Sequence, residues 1–401
     1  MRAQARIDLD AIRDNITAVR ARVGSAAVMT VVKSDAYGHG MIPCARAARE
    51  AGATWLGTAV VEEALALRAA GDTGRVLTWL WAPGDAFEDA VRADVDISVS
   101  GLWALREVVA AARAAGRTAR VHLKADTGLG RNGCTPADWP ALVDAGLKAQ
   151  ADGAVEVVGL WSHFACADEP GHPSVPAQLA EFTAMAAHAE GCGVTPEVRH
   201  MANSPATLLL PQAHFDLVRV GLVSYGLSPV PQVGGPADFG LRPAMTLTAS
   251  LAGVKRVPAG HGVSYGHAWT APRDTTLALV PTGYADGIPR HASNVGPVLV
   301  AGRRRTIVGR VAMDQFVVDL GDDHAAAGDE AILFGPGDRG EPTAEDWARA
   351  IDTISYEIVT RIGVRVPRVY SGTTVGETAV EGTAVEGTTV GGVAADGTAA
   401  P

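Results

Sequence analysis

The sequence is short of several things. Only four of its 401 residues are cysteine (Cys44, Cys134, Cys166 and Cys192), and they lie far apart with no C-x-x-C pair. That spacing builds neither a disulfide framework nor a thiolate metal site, so inert thiols in a reducing compartment are expected, and no metal. Basic charge is in the minority: 34 Lys and Arg stand against 44 Asp and Glu, for a formal net charge of −10. A nucleic-acid partner calls for a basic face and is not expected. No apolar run approaches the roughly 18 residues of a membrane span, although mean hydropathy is slightly positive at +0.12. The opening segment MRAQARIDLDAIRDN has no apolar signal core. A cytoplasmic protein without a membrane partner is therefore expected.

What is present divides into three parts. Residues 371–401 repeat Gly, Thr, Ala, Val and acid in a loose five-residue pattern, with no aromatic, Lys or Arg. Such a segment buries too little side chain to offset its ordering entropy, and disorder is expected. Residues 1–240 alternate two periods. Ile12, Ile16, Val19 and Val23 share one helix face, with Asp10 as cap. Eight apolar strand-like runs follow, at 27–32, 55–59, 76–80, 96–99, 120–124, 156–161, 197–201 and 217–220. Ala-rich amphipathic stretches such as VEEALALRAAG separate them. Strand–helix alternation means a parallel sheet. Eight repeats favour an α/β fold of the (β/α)8 TIM-barrel type, with an open doubly wound sheet as the alternative. From 241 to 370, runs such as MTLTASLAGVKRV and TIVGRVAMDQFVVDLG replace the helical pattern. This is a C-terminal, mostly β domain.

Barrels keep their chemistry at the C-terminal strand ends. Here those ends carry Lys33, Lys124, Ser162-His163, Asn203-Ser204, and Arg219 with Gly221. A lysine at the end of an apolar strand is partly desolvated, which lowers its pKa and suits a Schiff base. Taken alone it reads more readily as a rim lysine with its stem on apolar surface. Ser204 and Gly221 follow strands seven and eight, where barrels bind phosphate. A phosphate grip beside a Schiff-base lysine fits pyridoxal phosphate, and fits a sugar-phosphate aldolase as well.

A longer set of motifs separates these. VVKSDAYGHG, HLKADTGLGRNG, SHFACADE, MANSPA, FDLVRVGLVSYG, GVSYGHAW, TGYADGIPR, GRVAMDQ and SYEIVTRIGVRVPRVY occur in this order between Val31 and Tyr370. The chain resembles the alanine racemases, two-domain barrel-type enzymes that use pyridoxal 5′-phosphate, from about residue 4 to Tyr370. The resemblance implies a homodimer that interconverts L- and D-alanine and supplies D-alanine for peptidoglycan. It makes Lys33 the Schiff-base lysine and the proton carrier on one face of the substrate. Tyr37, Ser204, the backbone at Gly221 and Leu222, and Tyr356 hold the phosphate, with Asn203 beside them. Arg219 faces the pyridine nitrogen. An arginine cannot accept that proton, so the ring stays largely unprotonated and racemisation is favoured over transamination. Tyr265 crosses from the partner to serve the other face, aided by His163 and Arg219. Arg131 and the backbone of a crossing Met313 hold the substrate carboxylate. Lys124 stands where some relatives carry a carbamylated lysine. Tyr284, Arg290 and Asp168 match positions along the substrate's access channel. Leu129 and Ala312 replace the Met and Cys common in relatives, and neither position needs polar chemistry.

Three rival functions remain. A non-catalytic carrier of the same cofactor would share the barrel but not Tyr265, Met313 and Tyr356. A decarboxylase of basic amino acids would need a carboxylate where Arg219 stands. A serine or broader racemase differs by one hydroxyl, which apolar pockets reject weakly.

Overall fold

A computed structural model describes residues 1–372. From 373 onward the segment expected to be disordered lies outside the described residues. The chain opens with strand β1 (Ala3–Asp8) and then a helix, Leu9–Val23. The helix face is Ile12, Ile16, Val19 and Val23, all buried as expected. Its cap is Asp8 rather than Asp10: the Asp8 carboxylate accepts from the Ala11 N–H at 3.0 Å. The strand runs directly into the helix, so the cap falls on the junction residue. Gly24, at φ +63°, ends the helix.

Eight parallel strands then form a barrel: β2 (Ala27–Val31), β3 (Trp55–Thr58), β4 (Arg75–Thr78), β5 (Asp96–Val99), β6 (Ala119–Lys124), β7 (Val155–Trp161), β8 (Val198–His200) and β9 (Leu217–Val220). From β2 to β8 each strand pairs with the next, and β9 pairs with β2. Two backbone bonds draw β8 and β9 together: Asp216 N–H to Arg199 O at 3.1 Å, and Arg219 N–H to Ala202 O at 2.9 Å. All eight expected strands are present, with ends moved by a residue or two. Buried on both faces, such strands read as continuous apolar runs rather than alternations.

The second sheet is built from β10 (Met245–Ser250), β11 (Gly253–Val257), β14 (Thr275–Val280), β15 (Pro297–Val300), β16 (Arg303–Val308), β17 (Phe316–Gly321), β18 (Glu330–Phe334) and β19 (Arg368–Ser371). The short strands β12 (Gly262–Val263) and β13 (Trp269–Thr270) pair with each other apart from it. The order is β11-β14-β17-β16-β15-β18-β10-β1-β19, so β1 is the ninth member. The sequence reading begins the barrel at residue 1; the pairing instead puts residues 3–8 in the second sheet. The residues dictate this locally. Ala3, Ala5 and Ile7 are buried while Gln4, Arg6 and Asp8 are partly exposed, the alternation of a half-covered sheet. Ser371, at the start of the segment read as tail, pairs with Asp8 in this sheet. Among the described residues no helix is long and apolar enough to cross a membrane.

Asn15 joins the two parts. Buried on the first helix, it donates to Ser224 O and Arg242 O and accepts the Arg242 N–H. The chain leaving the barrel is thus anchored just before β10.

Candidate active site

The C-terminal strand ends open into a cavity of about 740 Å³. Four cationic side chains line it, Lys33, Lys124, Arg131 and Arg219, and no carboxylate does. So concentrated a positive charge in a low-dielectric cleft draws an anionic occupant.

Lys33 follows β2 directly. The next four residues, Ser34 to Tyr37, all have φ of 53–54° and make a turn of left-handed helix. None is glycine, and left-handed backbone costs roughly 1–2 kcal/mol per residue. Surrounding groups hold the turn. Ser34 N–H donates to Glu63 at 2.6 Å, and Met41 N–H donates to Asp35 at 2.7 Å. The His39 ring nitrogen Nδ1 lies 3.0 Å from both Ala36 O and Tyr37 O. Arg368, from β19, donates to Gly38 O at 3.0 Å. The reward for this strain is placement: the turn puts Lys33 and Tyr37 on one wall of the cavity. Burial lowers the Lys33 pKa; Arg131 adds to the shift and Glu63 opposes it.

Beside this turn lies a polar cradle that shares Tyr37 with it. Asn203 caps the helix Ser204–Leu209, accepting the Ala206 N–H at 3.2 Å. The Ser204 hydroxyl accepts the Gly221 N–H at 3.0 Å, which leaves its own proton to donate. A side chain at Gly221 would overlap the Tyr37 hydroxyl. Tyr37 and Tyr356 stand with ring centres 6.1 Å apart. Burial pushes both phenols above their ordinary range, so both remain hydrogen-bond donors. The Leu222 side chain is buried and does not line the cavity.

Arg219 closes the floor. Its Nη2 donates to Ser162 O at 2.9 Å, to Met201 O at 3.1 Å and to His163 Nδ1 at 3.1 Å. Its Nη1 donates to His200 Nδ1 at 3.0 Å, and the guanidinium lies 4.7 Å from the Trp161 ring centre. Burial lowers its pKa to about 9, which keeps it a cation at neutral pH. Burial, followed by the charge of Arg219, holds His163 and His200 well below the usual imidazole range. Lys124 lies 4.3 Å from the Trp161 ring centre. Burial, with Arg219 and Arg131 next, lowers its pKa to about 7.

Not every expected residue reaches this cavity. Tyr265, Met313, Tyr284 and Arg290 belong to the second domain and do not line it. Tyr265 is 70% and Met313 53% exposed, unusual for an aromatic and an apolar side chain. Asp168 lies just outside the lining; its carbonyl accepts from Gln232, and its charge helps raise the Tyr356 phenol. The residue-by-residue reading passed over the aromatic wall of Trp79, Trp81, Trp103 and Trp161. Trp161 ends β7 and Trp79 follows β4, so the strand-end rule that found Lys124 also pointed to them.

Comparison with known proteins agrees with this geometry. The family model described as "Alanine racemase, N-terminal domain" matches residues 7–229, and its C-terminal counterpart matches 244–370. The chain is 68% identical over 375 residues to the alanine racemase of Streptomyces coelicolor, covering 92% of this chain and 96% of that one. It is 66% identical over 370 residues to that of Frankia casuarinae, with the same coverage. The crystal structure of alanine racemase from D-cycloserine-producing Streptomyces lavendulae superposes with a TM-score of 0.93 at 68% identity, covering 93% of this chain and 98% of that one. With both domains matched and identity this high over nearly the whole length, the chain belongs to the alanine racemase family.

Proposed function

We propose that this enzyme interconverts L- and D-alanine with pyridoxal 5′-phosphate, as a homodimer whose two sites each take residues from both copies. The observation that carries the reading is the cavity: four basic side chains, no carboxylate, and a desolvated lysine in one cleft with a hydroxyl cradle. These residues fit the cofactor. A phosphate suits the Ser204 hydroxyl, the backbone at Gly221 and Leu222, and the two buried phenols, where a Gly221 side chain would intrude. An aldehyde suits Lys33, whose lowered pKa favours the neutral amine.

Bound there, the cofactor supplies the electron withdrawal that acidifies the Cα–H of an attached amino acid. Lys33 Nζ holds the cofactor at rest and then moves a proton on one face of Cα. The partner's Tyr265 moves it on the other, and the exposure of Tyr265 in one copy suits a residue that a second copy covers. A phenol with an ordinary pKa of about 10 is a weak base. His163 offsets this: its Nδ1 accepts from Arg219, so its Nε2–H remains to donate to a tyrosinate. Arg219 donates to the pyridine nitrogen and cannot accept its proton. Arg131 and the partner's Met313 backbone hold the substrate carboxylate, while Tyr284, Arg290 and Asp168 flank the access route. The neutral fraction of Lys124 near pH 7 is nucleophilic toward carbon dioxide; the carbamate so formed, with loss of one proton, would pair with Arg131. An intact-mass increase of one carbon dioxide at Lys124 checks this. Such an enzyme works in the cytoplasm, upstream of peptidoglycan.

The test is L-alanine with purified, cofactor-loaded protein in heavy water, followed by chiral separation and proton NMR. D-alanine carrying deuterium at Cα is expected, with slower turnover of serine. Unchanged alanine beside a visible lysine-bound cofactor band would overturn the substrate assignment in favour of another amino acid or a non-catalytic carrier.

A further inference from the structure

Beneath the cavity floor, Arg219 begins a line of buried polar side chains whose other members the reaction described above does not use. Arg219 Nη1 meets His200 Nδ1 at 3.0 Å. His200 Nε2 meets His122 Nδ1 at 2.9 Å. His122 Nε2 meets Asp96 Oδ2 at 3.1 Å. The four residues come from β9, β8, β6 and β5 and cross the barrel, all of them buried.

The line has one polarity. Arginine has no acceptor, so Arg219 must donate. His200 then accepts at Nδ1 and carries its proton on Nε2. His122 accepts in turn at Nδ1 and donates through Nε2 to Asp96. Every shared proton points away from the cavity and toward one carboxylate. That carboxylate is fixed from below: Arg75 reaches Oδ2 at 2.6 Å and Arg120 reaches Oδ1 at 2.7 Å. Burial pushes the Asp96 pKa up, but the bonds from His122 and Arg75 outweigh it and hold it below the usual range. Asp96 is therefore the anion that ends the line.

The rings are clamped as well. Trp161 stacks on His200 at 5.4 Å with planes 8° apart, and Trp55 sits edge-on to His122 at 5.4 Å. The barrel gives up a side chain to seat the line: any Cβ at Gly159 on β7 would overlap Nδ1 of His122.

We propose that Asp96, acting through His122 and His200, is the positioning residue that holds Arg219 as a fixed donor at the cofactor's ring nitrogen and so keeps the reaction on racemisation. This rests on the cofactor reading given above. With Asn at 96, the position that faces both His122 and Arg75 becomes ambiguous. Either orientation sets the amide N–H against an arginine donor, Arg75 or Arg120, and where it takes the Oδ2 place it forces His122 and His200 into the opposite tautomers. His200 would then present an N–H to an Arg219 N–H, and the guanidinium would lose its anchor. The ring nitrogen could take a proton from solvent and become a stronger electron sink. The side reaction this releases balances by itself. The proton taken from Cα returns to the cofactor's C4′ carbon, water cleaves the new C=N bond, and alanine leaves as pyruvate. Alanine is oxidised by two electrons and pyridoxal phosphate is reduced to pyridoxamine phosphate.

The test uses full-length, cofactor-loaded wild-type, Asp96→Asn and His122→Gln proteins. Three quantities are read: the absorption of the lysine-bound cofactor, the racemisation rate, and pyruvate formed per racemisation event. Both variants are expected to bind cofactor within a few-fold of wild type, while the pyruvate ratio rises at least tenfold. Loss of packing alone would lower binding and racemisation without raising that ratio. A wild-type ratio in folded, cofactor-bound variants overturns the inference. Histidine 15N NMR of the wild-type holoenzyme gives an answer even where a variant does not fold: His122 and His200 must both be neutral Nε2–H tautomers, and any other state overturns it. Failure of the wild-type protein to bind pyridoxal phosphate at all would overturn the cofactor reading, and this inference with it. The two failures are therefore distinguishable.

Discussion

Lys33 and Lys124 occupy the same cavity and differ in what surrounds them. Lys33 has Glu63 opposing its shift. For Lys124, burial and then Arg219 and Arg131 outweigh Asp126, and its pKa falls to about 7. The Lys33→Ala protein should lose the visible lysine-bound cofactor band, and racemisation should fall by about a thousandfold or more. For Lys124 the consequence is one of stability. Its folded pKa lies below the ordinary lysine value of about 10.4, so between pH 7 and that value the unfolded chain binds more protons than the folded one. Stability attributable to Lys124 therefore rises with pH across that window and is lost as pH falls through 7. In carbon-dioxide-free buffer, cofactor-free wild type compared with Lys124→Met should gain up to about 1.4 kcal/mol per pH unit there. Denaturant melts at pH 7, 8 and 9 check the sign.

At this scale the sequence spoke unevenly. Lys33, Lys124, Ser204, Arg219 and Gly221 stand out because a polar or small residue ends an apolar run. Asp96, His122 and His200 do not: Asp96 opens β5, His122 lies within β6 and His200 closes β8, all within runs read as apolar strands. Tyr265 and Met313 were placed only by likeness to a family, because no periodicity tells which copy's site a residue serves.

Among elements, the barrel strands were the most legible and the left-handed turn after β2 the least. Parallel strands buried on both faces leave short runs rich in Val, Ile and Leu, broken at polar residues such as His122 and Arg219. Ser34 to Tyr37 all have positive φ, and none of the four is glycine, asparagine or proline. Its conformation is imposed by partners distant in sequence, Glu63 and Arg368 among them. Glu63 is the most economical place to test this, since its other oxygen caps Ala59 N–H at 2.9 Å. Glu63→Ala should leave the Ser34 N–H without its acceptor at a cost of about 1–2 kcal/mol. Affinity for pyridoxal phosphate should weaken roughly tenfold, read by fluorescence titration. Unchanged affinity would show that the turn stands without it. The first helix makes a milder case. Its apolar face was readable, but its cap fell on Asp8 because β1 precedes it without a loop.

For the whole molecule, the separation of Lys33 from Tyr265 sets the strongest test of a shared site. Lys33→Ala and Tyr265→Ala homodimers should each be nearly inactive, the second while keeping its visible cofactor band. After mixed refolding at equal concentrations, half the dimers carry both chains. Each of these has one site with both residues intact. Roughly a quarter of wild-type activity should return. If no activity returned, the two residues would have to serve one site from the same chain. The exposed Tyr265, Met313 and Tyr284 side chains of the second domain are the surfaces such a dimer has to cover.

The place of β1 in the second sheet has a consequence for how the protein is made. Its residues leave the ribosome well before their partners on β10 and β19, which follow some 240 and 360 residues later. At about 5–20 residues per second, the nascent chain waits on the order of ten seconds or more for the first of them. The barrel strands and their helices can assemble vectorially during that interval, but β1 cannot. Its alternate apolar side chains and open edge stay unpaired until most of the message has been read. Translation that stalls between the two domains would leave a formed barrel with a loose, adhesive strand at its head.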